Sequence, residues 1–576
     1  MKNKSIISSS ILLVIMLCVY SAFSQAATHI VQDPLEYFNN RTKAISLARS
    51  GNWQQLIPIT ESLTRQYQKD GDLFYVLGLA YYETEQYQKA ITALTNTLGL
   101  GGTVLNNIPT GSAPSNDIMI KIAMAYALGG DKSNAMTWLE KGFEARYDEK
   151  PFLKDDPAFK TFNKDNAFLK LFGYCDEVDL TREKAWRCDI DYLAKRVIEL
   201  HYSPYHHTSK ANFDQLILEL KLNIDTISDE QIVVELMKIF GSLGNGHNLI
   251  IPTSPQKGAL KRLPVQFYQF NDGLFIVGTE IGFEKWIGYK VENIEGTPIE
   301  KALRKTQVVN SRDNDMQTLW LGPYYLSLPD VLEGLGIVKT ANEVTLSLSD
   351  SKGVSQEVTM NPIDWNFAGF PKLPQRMMDT QPLFLSKIND PYWYTFFQDG
   401  TIIYIQFNTV TNKENQSLED FNIELRGQIV QSKAHNLVLD LRHNHGGDGS
   451  LLPPILKTLE SFEIMNPDGK VFVIIGRETF SAGHNLLTEI TKNINPILVG
   501  EPSGSKPNHI GESGWFRLPY SGVMGLVSTQ FHQDSKPEDN RKWIAPHIPI
   551  SLSSTDYFNG NDRALNTIME VIKDSK

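Results

Sequence analysis

Two stretches of the chain are apolar at nearly every position instead of every second one. Leu437-Val438-Leu439-Asp440-Leu441 and Val471-Phe472-Val473-Ile474-Ile475 read as short strands without polar alternation, the pattern of a sheet covered on both faces. Tyr404-Ile405-Gln406-Phe407 predicts a third strand, and Leu451 to Phe462 predicts a helical connection. Strands alternating with helices from about Pro391 onward predict a largely parallel α/β core. Both apolar runs lead into small residues, Gly446-Gly447 and Ser481-Ala482-Gly483. Ligands of such sheets bind at the strand C-terminal ends, where backbone N–H groups can approach them.

Upstream the periodicity changes twice. Residues 263–350 carry short β-like runs such as Leu274-Phe275-Ile276-Val277 and Glu343-Val344-Thr345-Leu346-Ser347-Leu348, and Arg182 to Gly241 carries amphipathic helical patterns with Tyr192, Leu193, Val197, Ile198 and Leu200 on one side. Residues 37–149 repeat a helical pattern about every 34 residues. Its best unit holds Phe74, Leu77, Gly78, Tyr81, Ala90 and Leu94. A weaker one precedes it (Ala44, Leu47 and the Gly51-Asn52-Trp53 turn). A third follows, with Ile122, Ala123, Tyr126, Ala135 and Leu139, after an insertion between Gly101 and Ser115. This pattern resembles tetratricopeptide repeats, in which small residues let paired helices approach. Residues 150–183 read as a helical linker.

At 576 residues the chain is too long for one core. The formal charge of −11, or −13 once Lys2 and Lys4 leave with a leader, and the lack of a dense basic run argue against nucleic-acid or anionic-membrane partners. Lys2 and Lys4, an apolar run from Ile11 to Val19 and small residues from Ser21 to Ala27 have the layout of a cleavable secretory signal over residues 1–27. The run is shorter than the ~20 residues of a spanning helix, so no stable membrane insertion is expected and the protein is expected to be exported, periplasmic or secreted. In an oxidising compartment Cys175 and Cys188 are either a short-loop disulfide or two separate buried thiols.

The segment Asp440-Leu441-Arg442-His443-Asn444-His445-Gly446-Gly447 resembles the Asp-Leu-Arg-x-Asn-x-Gly-Gly signature of the C-terminal processing (tail-specific) serine peptidases. The resemblance continues in Leu243-Gly244-Asn245-Gly246-His247, in Gly500 to His509, in Pro546 to Ile550 and in Asp556 to Leu565, covering about residues 184–573. It implies a multidomain α plus α/β chain. The N-terminal helical repeat stack would be followed by a helical N-terminal subdomain or cap (184–250), a β-rich PDZ-like region (260–360) and a tail-specific protease core (391–573). Gly288 to Ile299 is the part that resembles a PDZ module, although no glycine-rich carboxylate-binding loop precedes it.

The resemblance places the nucleophile on Ser481, for which the competing reading is a helix N-cap. A serine hydroxyl needs a base and N–H donors for the developing oxyanion; Gly446 or Gly447 together with Ala482 supply the donors. Two branches of the family differ in the base. One implies Lys506, after the Gly500-Glu501 turn, although Ile510 stands where that branch often has glutamine. The other, tricorn-like, implies His247, oriented by Glu538 or Asp539. His509 and Glu512 are candidates for lining the cleft. The clusters His201/His206/His207 and His443/His445 lack a ligand spacing, so neither a metal nor an organic cofactor is expected. The expected activity is endopeptidase cleavage of unfolded or chain-end segments, with the repeats available to a protein partner. The alternative is a catalytically inactive binding protein on the same fold, carrying a peptide or an apolar ligand or acting as a repeat-based scaffold; the asparagine at Asn245, where the family has aspartate, feeds that alternative.

Overall fold

The computed structural model describes residues 33–574 except 106–107, 112–113, 176–179, 254–255, 366–371 and 375–380. The expected leader, 1–27, lies outside the described residues. The chain divides into two compact units, Met1–Phe172 and Gly173–Lys576.

The first unit is helical. Six helices, α1 (Pro34–Arg49), α2 (Trp53–Gln66), α3 (Gly71–Glu83), α4 (Tyr87–Gly99), α5 (Ser115–Leu128) and α6 (Lys132–Glu144), pack in sequence order. Their core holds large side chains such as Leu56, Tyr75, Leu79 and Leu94, with the small residues Ala44, Ala80, Ala90, Ala123 and Ala135 fully buried in the unit. Gly78 of α3 meets α4 so closely that a Cβ there would stand 2.7 Å from the Leu94 side chain. Aspartates at N-caps, Asp33, Asp70 and Asp131, satisfy free amides of α1, α3 and α6.

The second unit mixes helices and sheets. It begins with α7 (Arg182–Leu200), α8 (Lys210–Asn223) and α9 (Asp229–Leu243), which ends at Gly244 in the left-handed conformation. A short strand β1 (Leu249–Ile251) follows. Then β2 (Val265–Phe270), β3 (Gly273–Thr279), β4 (Lys290–Ile294), β5 (Val344–Ser349) and β6 (Ser355–Met360) form an antiparallel sheet in that order, with α10 (Ile299–Thr306) and α11 (Met316–Leu326) between β4 and β5.

The C-terminal part is built on a six-stranded sheet. Its strands are β7 (Tyr392–Phe397), β8 (Ile402–Phe407), β9 (Asn436–Asp440), β10 (Lys470–Ile475), β11 (Ile497–Gly500) and β16 (Ile548–Pro549); all neighbours are parallel except the β7–β8 pair. Two further small sheets fill the gap before β16. One joins β12 (Asn508–Gly511) to β15 (Gln530–Gln533), and the other joins β13 (Gly514–Arg517) and β14 (Met524–Val527) to β1.

The unbroken apolar runs now have a physical reason. Leu437, Leu439, Val471 and Val473 face one layer, packed with α12 (Leu418–Gln431), α13 (Pro453–Met465) and α14 (Ala482–Asn493), while Val438, Phe472 and Ile474 face Ala564, Ile568 and Ile572 of α15 (Arg563–Asp574). Successive side chains of a strand point to opposite faces, so covering both faces makes every position apolar. The parallel order leaves the C-terminal ends of β9 and β10 side by side, with both glycine-containing turns at one edge of the sheet.

Candidate active site

Ser481 sits between β10 and α14 with φ 50° and ψ −132°, a conformation that side chains other than glycine rarely adopt. It occupies the N-cap position, but its side chain makes no capping bond. The hydroxyl is turned instead to His247, whose Nε2 lies 2.9 Å from Ser481 Oγ. These two groups come from residues 234 apart in sequence.

The turn after β9 wraps this serine. Asn444 Nδ2 donates to Phe407 O at 2.8 Å, Phe480 N donates to Asn444 O at 3.0 Å, and Val410 N donates to Gly446 O at 2.9 Å. Gly446 and Gly447 have φ of +105° and +136°. The Gly446 N–H donates to Asn444 Oδ1 at 3.0 Å, whereas the N–H groups of Gly447 and Ala482 have no acceptor among the described residues. Behind the turn, Arg442 donates to Asp440 and to Asp562 and stacks on Phe384, a buried network that anchors the end of β9.

His247 is held by its loop and by two rings. Its imidazole stacks on Phe480 with centroids 4.4 Å apart and on His509 at 5.9 Å. Burial lowers its pKa to about 4, opposed first by the charge of Asp313. The ring is therefore neutral near pH 7, the form that can accept a proton. Its Nδ1 is enclosed and has no hydrogen-bond partner among the described residues. The loop itself is tied down by Asn245, whose Oδ1 accepts from Asn248 Nδ2 at 2.7 Å and faces His201 Nε2 at 3.0 Å, while its Nδ2 donates to Ile510 O at 3.2 Å and to Ser528 Oγ. An amide supplies donor and acceptor at once, which an ionised aspartate cannot.

Ser481 and His247 open into a cavity of about 1210 Å³ lined also by Gly447, Ala482, His509, Glu512, His532 and Asp534, with faces of α13 and α14 forming one wall. His509 stacks on His532 at 5.0 Å, and His532 Nε2 lies 3.4 Å from Glu512, which raises the histidine and lowers the carboxylate.

The structure distributes the other sequence candidates differently. Lys506 meets this cluster through its backbone carbonyl, which accepts from His509 Nδ1 at 3.1 Å; its side chain is not part of the cavity wall. Asp539 spends its carboxylate on Arg541 and Ser535, and the Arg541 guanidinium holds it far below the usual carboxylate range. Glu538 is exposed, and neither acid lines the cavity. Cys175 and Cys188 are joined in a disulfide. The residues that sequence reasoning missed are Phe480, His532 and, beside the His247 loop, Asp313.

No family model matches the chain, and no curated protein sequence does. Solved structures do. Mature CPAF complexed with lactacystin matches at 12% identity with a TM-score of 0.50, over 68% of this chain and 99% of that one. The photosystem II D1 C-terminal processing protease matches at 12% identity and 0.33, over 67% and 99%, and the tricorn protease at 13% and 0.32, over 68% and 37%. These neighbours match the tail-specific serine peptidase family. At such identities what is shared with the first of the three is the fold.

Proposed function

We propose that the chain is an exported serine endopeptidase that hydrolyses unfolded or chain-end peptide segments through an acyl-enzyme on Ser481. The observation that carries this reading is the 2.9 Å hydrogen bond between Ser481 Oγ and His247 Nε2 in the wall of a large cavity.

His247 Nε2 takes the proton from Ser481 as Oγ attacks the substrate carbonyl carbon, and the carbonyl oxygen becomes an oxyanion. The N–H groups of Gly447 and Ala482, which have no acceptor of their own among the described residues, receive that charge. His247 then gives its proton to the leaving amine, and a water molecule, activated by the same ring, releases the acyl group. Low basicity from burial keeps His247 neutral and ready before each attack. Its position supports it over Lys506 as the base.

A cavity walled by helix faces, lined by the apolar groups of Leu452, Leu456 and Leu486 as well as by Ser481, suits an extended chain better than a folded surface. The disulfide fits an oxidising compartment and thus export. The helices of residues 37–149 fit a tetratricopeptide-like stack for a protein partner, the helices of 184–250 a cap, and the antiparallel sheet of 260–360 a PDZ-like region. The asparagine at Asn245 does not favour the inactive carrier, because its amide is a tether of the loop. Comparing the mature protein with its Ser481→Ala variant on unfolded peptides tests the reading: cleavage by the wild type alone is expected.

A further inference from the structure

Between α10 and α11 the chain runs through Asn310-Ser311-Arg312-Asp313-Asn314, a polar segment that reads as a surface loop. It is instead sunk into the protein: Asn310, Ser311, Asp313 and Asn314 are all buried, as is Gln317 in the first turn of α11. Its polar groups are spent on the two loops that carry the histidines of the cavity. Ser311 Oγ donates to Asn245 O at 2.7 Å. Asp313 Oδ1 accepts from the Gly246 N–H at 2.9 Å, next to His247 in sequence, and Asp313 Oδ2 accepts from Ser505 Oγ at 2.6 Å, in the turn that leads to His509. Asn314 Nδ2 reaches Ser503 O, Ser505 O and Lys542 O. Gly246 has no room for a side chain, since a Cβ would stand 2.6 Å from Gln317 and 2.8 Å from Phe480.

Resting on the peptidase reading above, we infer that Asp313 is the anionic positioning residue of the His247 base, in place of the Glu538 or Asp539 that the sequence suggests. It fixes the His247 loop through a charge-assisted bond to the Gly246 amide, and it sets one buried negative charge beside a ring that must become positive in the transition state. The other titratable groups whose charge acts on His247 are His509, which stacks on it, His532, which stacks on His509, and Glu512. The two histidines oppose a positive His247, while Glu512 and Asp313 favour it, and Asp313 is the first of the charges acting on His247 and on His509 alike. Asp313 touches no substrate. It acts through the imidazole, as an orienting carboxylate does in a triad, but from the backbone side of the loop, leaving Nδ1 without a partner among the described residues.

Asp313→Asn separates charge from scaffolding. An asparagine Oδ1 still accepts from the Gly246 N–H, and its amide can donate to Ser505 Oγ, so the tether persists while the charge goes. The variant is expected to fold like the wild type, to lose at least about tenfold in kcat with KM within about twofold, and to show its acid limb at lower pH. In protein labelled with 15N-histidine, the His247 titration followed by NMR is expected to move down as well. Asp313→Ala, which removes tether and charge together, should in addition lower the melting temperature. Wild-type kcat, acid limb and His247 titration in Asp313→Asn, with loss only in Asp313→Ala, overturn the inference and leave a purely structural residue. If the wild type cleaves no peptide, the peptidase reading falls, and the titration still decides: an unmoved His247 overturns the role of Asp313, and a downward shift supports it.

Discussion

Gly446 approaches Ser481 so closely that a Cβ built on the glycine would lie 2.6 Å from the Cβ of the serine and 3.0 Å from its Oγ. The contact joins the turn after β9 to the turn after β10, and Gly446 adds a φ of +105° that a side chain would strain. Gly446→Ala is therefore expected to displace Ser481 from His247. Activity should fall at least about a hundredfold, and stability by about 1–3 kcal/mol for one forced backbone conformation. Peptide cleavage rates and urea unfolding check both; a variant with wild-type activity would contradict this placement of the two turns.

Asn245 offers a test of the loop that carries His247. Asn245→Asp keeps the shape but puts an acceptor-only carboxylate against Ile510 O and Ser528, two contacts its amide now donates to. Leaving such buried groups without a proper partner costs about 1–3 kcal/mol. Urea unfolding of the variant at neutral pH should show a loss in this range, and the loss should shrink as the new carboxyl is protonated in acid. Equal or greater stability at neutral pH would mean that the asparagine is not a tether.

The pH dependence follows from burial of imidazoles. To serve as the proposed base His247 must be neutral, and its pKa is lowered to about 4. Above that value the proton-accepting form is already present, so kcat/KM should hold its plateau down to about pH 5 before it falls. The same shift bears on stability. A histidine whose pKa is lower folded than unfolded binds more protons in the unfolded state between the two values, so stability is lost as pH falls from about 6.5 toward 4. His484, His509 and His445 are lowered by burial too and act in the same direction. In protein labelled with 15N-histidine, the His247 ring followed by NMR should stay mostly neutral at pH 7.5, 6 and 5; protonation near the ordinary value of about 6.5 would contradict its neutral state.

Much of this arrangement was legible in the sequence. The uninterrupted apolar runs at 437–441 and 471–475 revealed covered strands because both faces of a sandwiched sheet must be apolar. The glycine pair and Ser481 stood out because they follow those runs at strand ends. The choice between His247 and Lys506 was not legible, since it depends on which loop crosses to the serine from more than 200 residues away in the chain. Asp313 was hidden for another reason. A run such as Asn310 to Asn314 has the composition of a solvated loop, and only its burial, with partners at 245, 246 and 505, reveals a polar scaffold. Glu538 and Asp539 drew attention by position alone, and Asp539 turns to Arg541 instead.

The disulfide gives a simple chemical prediction. Cys175 and Cys188 are 13 residues apart, and closing a loop of that size is worth about 3 kcal/mol in the loop-entropy account. Alkylation of the purified protein without reductant, read by mass spectrometry, should leave both cysteines unmodified, and reduction should lower the unfolding midpoint. Two alkylated thiols in the unreduced protein would contradict the bond.

A library of unfolded peptides read by mass spectrometry compares cleavage by the wild type with that by Ser481→Ala, His247→Ala and Lys506→Ala. Cleavage is expected from the wild type and from Lys506→Ala, and its loss in Ser481→Ala and in His247→Ala. Cleavage that survives Ser481→Ala, or a well-folded wild type that leaves every peptide intact, would contradict the peptidase reading.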